Sequence, residues 1–187
     1  MISPQNPQKN KRQLILALIA AGIGLAGGAA WRVYSQTSHG RQVNPQHPAF
    51  SDPAWQLVIP TPDQKSLKLA DFAGQKMVIN FWATWCPPCV EELPLLEKFY
   101  QEQKQNNWVV VGLALDKPAA VEQFLKRTPL TFPIGIGNME LMTLSQNWGN
   151  LSGSLPFSIV IDSTGNVIQR RIGKVKESDL QAWKTII

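Results

Sequence analysis

Cysteine is nearly absent: the 187 residues contain two, Cys86 and Cys89, separated by only two positions. A structural disulfide gains most from closing a long loop, so a pair this close is a poor staple. A zinc site needs about four ligands, and no second cysteine pair or nearby Cys–His cluster supplies them. The spacing suits a redox pair whose disulfide is made and broken, in an oxidising compartment where stray thiols are a liability. Histidine is as scarce: His39 and His47 both sit in a polar stretch, where they read as solvated side chains rather than half of a metal site.

Acidic residues are missing from residues 1–50, which carry Lys9, Lys11, Arg12, Arg32 and Arg41. These five of the 18 basic residues account for the formal charge of +5, and the rest of the chain sums to zero. A nucleic-acid binder needs a basic face on its folded part, and none is on offer.

No charged residue of either sign falls between Leu14 and Trp31. That apolar run is near the lower limit of the roughly 17–25 residues needed to span a bilayer. With basic residues 1–13 as a cytoplasmic tail, residues 14–31 read as a single-pass anchor in a bacterial inner membrane, the remainder facing the periplasm or extracytoplasmic side. A cleavable signal peptide is the competing reading, because Gly28-Ala29-Ala30 offers small residues at a cleavage site. Either one exports the remainder of the chain. Residues 32–48 are polar and lack periodicity, as a linker does.

Residues 49–187 are globular in pattern. The hydrophobic content of the chain is 44% and the charged content 17%, and the length allows one ordinary domain plus an extension. Trp55 to Ile59 reads as a short strand, residues 60–63 as a turn, and Ser66-Leu67-Lys68-Leu69 as the second arm of a hairpin. Residues 70–74 form a loop or a single helical turn. Met77 to Trp82 is a near-continuous apolar run, which predicts a strand buried on both faces. A helix is predicted after the cysteines over Pro87 to Gln105, its apolar residues Val90, Leu93, Leu96, Phe99 and Tyr100 recurring at spacings of three and four. Strands are predicted over Trp108 to Leu115, Thr131 to Ile136, Phe157 to Ile161 and Val167 to Ile172. Helices are predicted over Ala119 to Arg127, over Glu140 to Trp148, and from a cap at Ser178 with Asp179 in its first turn. Alternating strands and helices make this an α/β domain with a central mixed sheet flanked by helices.

Trp85-Cys86-Pro87-Pro88-Cys89 thus lies between a buried strand and a helix. Backbone N–H groups of a first helical turn carry partial positive charge, which stabilises a thiolate there. Pro87 suits the first helical position, because its missing N–H would have no partner there anyway. Cys86, at the helix start, is the expected exposed attacker, and Cys89, one turn in, the resolving sulfur.

Asn80-Phe81-Trp82-Ala83-Thr84-Trp85-Cys86-Pro87-Pro88-Cys89, with Glu91-Glu92-Leu93-Pro94 close behind, resembles the membrane-anchored thioredoxin-like proteins of the TlpA/ResA family. The resemblance implies a thioredoxin-like fold with an N-terminal hairpin and a βα insertion over about Asp116 to Gly137. It implies a cis-proline facing the cysteines, here Pro156, with the backbone of Leu155 pairing with a bound partner like an added strand. Trp85, Pro87 and Pro88 complete the expected partner-binding surface. Asn80 stands where ordinary thioredoxins carry a buried, proton-accepting Asp, so that role falls to Glu92, which matches an acidic residue of ResA-like members. Glu91 and Glu97 read as solvated. The stretch from Trp148 to Pro156 looks about two residues longer than in the family, so the partner groove is expected to differ.

The activity so implied is thiol–disulfide exchange with exported, disulfide-bearing proteins, as a reductase in cytochrome c maturation or a similar process. A membrane electron donor of the DsbD/CcdA type would restore the dithiol, and neither cofactor nor metal is expected. Two other classes fit less well. A thiol peroxidase needs Thr three residues before the attacking Cys, where this chain has Ala83 and an offset Thr84. A copper-delivery protein of the Sco group wants a wider cysteine spacing and a downstream His.

Overall fold

The computed structural model describes residues 52–186. The tail, the apolar run at 14–31 and the linker with His39 and His47 lie outside the described residues. Among the described residues no helix is long and apolar enough to cross a membrane.

The central sheet has five strands in the order β5-β4-β3-β6-β7. These are β3 (Lys76–Trp82), β4 (Trp108–Leu115), β5 (Ile134–Gly137), β6 (Phe157–Ile161) and β7 (Val167–Ile172). β4 runs parallel to β3 and β5, while β6 is antiparallel to β3 and β7. The sheet is therefore mixed, as expected. A separate antiparallel hairpin pairs β1 (Val58–Pro60) with β2 (Ser66–Lys68).

Side chains alternate across a strand, so β3 feeds two cores. Val78 and Trp82 face α1 (Pro87–Gln103), α2 (Pro118–Arg127) and α4 (Glu177–Ile186), through Leu93, Leu96, Phe124, Leu180 and Trp183. Met77, Ile79 and Phe81 face the hairpin and α3 (Met139–Asn147), through Ile59, Leu67, Leu141 and Leu144. Burial on both faces explains why β3 and β4 read as continuous apolar runs.

Several element ends shift by a residue or more from expectation, and three of the differences have a visible local cause. Trp55 belongs to a 3-10 turn, Pro53–Gln56, rather than to a strand. Asp52 caps that turn by accepting the Ala54 N–H at 2.8 Å, and Trp55 packs against Trp148 with ring centroids 6.4 Å apart. The strand expected from Thr131 begins only at Ile134. Pro133 has no N–H to give a ladder, and the Thr131 N–H is taken by Glu97 at 2.8 Å. The last helix starts at Glu177, so Ser178 lies inside it rather than at its cap, and Asp179, in the first turn as expected, reaches back to accept the Lys176 N–H at 2.8 Å.

Candidate functional site

Cys86 is the N-cap of α1, with extended backbone angles, and Pro87 opens the helix. The turn before it closes through the Cys86 N–H and the Ala83 carbonyl at 3.2 Å. The Cys86 carbonyl in turn accepts from Cys89 and Val90, both at 3.1 Å. No acidic residue sits in the first turn of α1, so the positive end of the helix dipole is not offset where the sulfurs lie. Cys86 and Cys89 are joined by a disulfide, their Cα atoms 5.3 Å apart.

The expected exposure of Cys86 is not found: it is 4% exposed, and Cys89 is fully buried. Bonded to Cys89, Cys86 packs into the same apolar cluster as Trp82, Ala83 and Leu93. Trp85 is instead the projecting residue of the loop, at 67% exposure, and Pro87 and Pro88 are exposed beside it.

Pro156 precedes β6, whose first residue, Phe157, pairs with Phe81. The loop carrying Pro156 and the loop carrying the cysteines therefore adjoin the same end of the paired strands β3 and β6. The Leu155–Pro156 peptide bond is cis. Pro156 is buried, and the partly buried Leu155 packs against the cluster that holds both cysteines.

The loop before Pro156 is organised by Asn150, which no sequence motif singles out. Its buried side chain accepts the Ser154 N–H at 3.1 Å and donates to the Ser154 carbonyl at 2.9 Å. Leu151 projects from this loop at 84% exposure.

Glu92 is fully buried on α1, one turn beyond Cys89. Asn80 Nδ2 donates to Glu92 Oε1 at 2.7 Å and to Ser158 Oγ at 2.9 Å. The Val175 N–H donates to the other Glu92 oxygen. Burial raises the Glu92 pKa from 4.5 to about 7, against the opposing pull of the Val175 and Asn80 hydrogen bonds and the Lys174 and Arg171 charges. Ser158 escapes a motif search, although a polar residue inside a buried apolar run is a signal. Glu91 is exposed and ion-paired with Lys174 at 2.6 Å. Glu97 is not simply solvated: it holds Thr131 through both the backbone N–H and the hydroxyl.

Thr84, two residues before Cys86, is held by Asp116. The same carboxylate oxygen accepts the Thr84 N–H at 2.9 Å and its hydroxyl at 2.6 Å. Asp116 also lines a groove of about 420 Å³ with Leu57, Ile59, Ile136 and Glu140, and neither cysteine borders it.

Known proteins resemble this chain over most of its length. The Redoxin family model matches residues 42–185. The thiol-disulfide oxidoreductase ResA of Bacillus cereus is 27% identical over 179 residues, covering 94% of this chain and 96% of that protein. The crystal structure of StoA from Bacillus subtilis aligns at a TM-score of 0.56 with 26% identity, covering 68% of this chain and 95% of that one. A thioredoxin-related protein from Neisseria meningitidis serogroup B aligns at 0.59 with 32% identity, covering 67% and 94%. With its cysteine pair at the start of α1 and its mixed five-stranded sheet, the chain belongs to the Redoxin family, as a thioredoxin-like protein of the TlpA/ResA type.

Proposed function

We propose that in this thiol–disulfide oxidoreductase Cys86 is the attacking sulfur and Cys89 the resolving one, working as a reductase of exported proteins. The observation that carries the reading is the position of the pair: Cys86 caps α1 and Cys89 lies one turn in, bonded to it. In the reduced chain the Cys86 thiolate attacks one sulfur of a partner disulfide, forming a mixed disulfide and expelling the other partner sulfur as thiolate. Cys89, once deprotonated, attacks Cys86, which re-forms the internal disulfide and releases the second partner thiolate. The partner gains two electrons and the cysteine pair loses them. A membrane dithiol donor of the DsbD/CcdA type returns them.

Glu92 receives the Cys89 proton. Its raised pKa, about 7, suits a group that must take and give a proton near neutrality. Trp85, Pro87, Pro88, Leu155 and Pro156 form the surface that meets the partner, with Leu155 offering backbone groups to an extended segment. Residues 14–31 hold the domain at the outer face of the inner membrane, a reading supported by Lys9, Lys11 and Arg12 ahead of the apolar run.

Insulin reduction by the purified full chain tests the reading, with peroxide consumption and copper titration run beside it. Catalysed insulin reduction that is lost in Cys86→Ala supports it, and reduction that survives Cys86→Ala overturns it. A reduction potential near that of thioredoxin, about −270 mV, supports a reductase, and one near −120 mV makes it an oxidant. For Glu92, unchanged Cys86 titration and exchange rates in Glu92→Gln remove the assigned role.

A further inference from the structure

We propose that Asp116 positions the attacking sulfur, acting through Thr84; this rests on the reading of Cys86 as attacker. The turn Ala83–Cys86 closes on itself through the Cys86 N–H, which leaves the Thr84 N–H to find a partner outside the turn. Asp116 supplies it, taking both the N–H and the hydroxyl of Thr84 on one oxygen. Its other oxygen accepts the Lys117 N–H at 2.7 Å, at the cap of α2. One carboxylate thereby ties the loop between β3 and α1 to the loop between β4 and α2. The two loops leave neighbouring parallel strands, with Trp82 opposite Ala114.

Apolar packing buries Ala83 and Cys86, but few other hydrogen bonds reach the turn from outside. Pro87 and Pro88 have no N–H, and Trp85 projects into solvent. Among the described residues, the two Thr84 bonds to Asp116 are the only hydrogen bonds involving a side chain that residues 83–90 make. Hydrogen bonds to a charged acceptor are the stronger kind. Held this way, Cys86 stays at the helix N-terminus, where its thiolate is stabilised.

Position and charge make opposite forecasts, which makes the idea testable. The Asp116 charge alone disfavours a nearby thiolate, so its loss would lower the Cys86 thiol pKa. Loss of positioning raises it. Thr84→Val removes the hydroxyl without changing any charge, and Thr84→Ser keeps it. The experiment measures, on the purified full chain, the Cys86 thiolate absorbance against pH and the rate of exchange with glutathione disulfide. Thermal unfolding of each oxidised variant is followed in parallel. Thr84→Val is expected to raise the thiol pKa and slow exchange by about tenfold, with Thr84→Ser within about twofold of wild type. Because Thr84→Val keeps the Thr84 N–H, wild-type pKa and rate in both Thr84→Val and Asp116→Asn overturn the positioning role, as does an equal loss in Thr84→Ser. A lowered thiol pKa in Asp116→Asn, with Thr84→Val unchanged, assigns the effect to charge and overturns it too. A wild-type chain that exchanges nothing overturns the reading of Cys86 itself, a result distinct from the other three.

Discussion

Asn80 donates to Glu92 across 2.7 Å in a setting where both side chains are fully buried. The two residues sit on β3 and α1, the strand and helix that flank the cysteine loop. An amide beside the carboxyl gives it a hydrogen bond without adding a second charge. Burial still dominates, and the carboxyl is held at a pKa of about 7.

The first prediction concerns stability against pH. The folded-state pKa of Glu92 is above its ordinary value of 4.5, so between these values the folded state binds more protons than the unfolded one. Stability from this group is therefore greatest at low pH and falls as pH rises from about 4.5 to about 7, by about 3 kcal/mol in all. Urea unfolding of the oxidised chain at a series of pH values is expected to show this decline. Glu92→Gln is expected to flatten it, and equal slopes in the two proteins would contradict the assignment.

The second prediction separates the sulfurs. With Cys89→Ala, attack by Cys86 leaves a mixed disulfide that nothing inside the chain resolves. Incubation with a disulfide-bearing protein is expected to accumulate a covalent adduct, visible on a non-reducing gel and lost with dithiothreitol. Cys86→Ala is expected to form far less of it. The reverse pattern would exchange the two roles.

How far the sequence carries these conclusions varies with the range of the interactions. β4 and β6 match their predicted bounds because buried runs announce themselves locally. Trp55 does not, because it packs against Trp148 in a tilted ring contact, far along the chain. Ser158 and Asn80 are polar residues within buried strands, and only the register of β3 against β6 shows that they face each other. Asp116 is legible only as a boundary of the βα insertion. Its bond to Thr84 depends on two parallel strands ending together, which periodicity does not reveal. The burial of Cys86 depends on its bond to Cys89 and on packing against residues from several elements.

Trp85 carries the third prediction. At 67% exposure it adds little to the core, so Trp85→Ala is expected to change stability by no more than about 0.5 kcal/mol. A large exposed aromatic beside a reactive sulfur instead offers contact area to a protein partner. Insulin reduction is expected to lose several-fold in kcat/KM, chiefly through KM, while exchange with glutathione disulfide changes little. Equal losses with the protein and the small disulfide would place Trp85 in the chemistry rather than in partner binding.

The last prediction replaces the amide with a second carboxyl. Asn80→Asp puts two acids 2.7 Å apart, at the distance the amide now spans, and both fully buried. Two carboxylates sharing such a site do not both ionise readily, so one keeps its proton well above its ordinary range. The shared proton satisfies the hydrogen bond at low pH, and the variant is expected to approach wild-type stability near pH 5. Above neutrality the second ionisation has to occur against the first charge. Stability is expected to fall more steeply with pH than in the wild type, because the folded state now retains more protons than the unfolded one over a wider range. Adding Glu92→Gln to Asn80→Asp removes the like charge and is expected to restore part of the loss. A double variant no more stable than Asn80→Asp at pH 8 would show that the two side chains are not coupled across the β3–α1 contact.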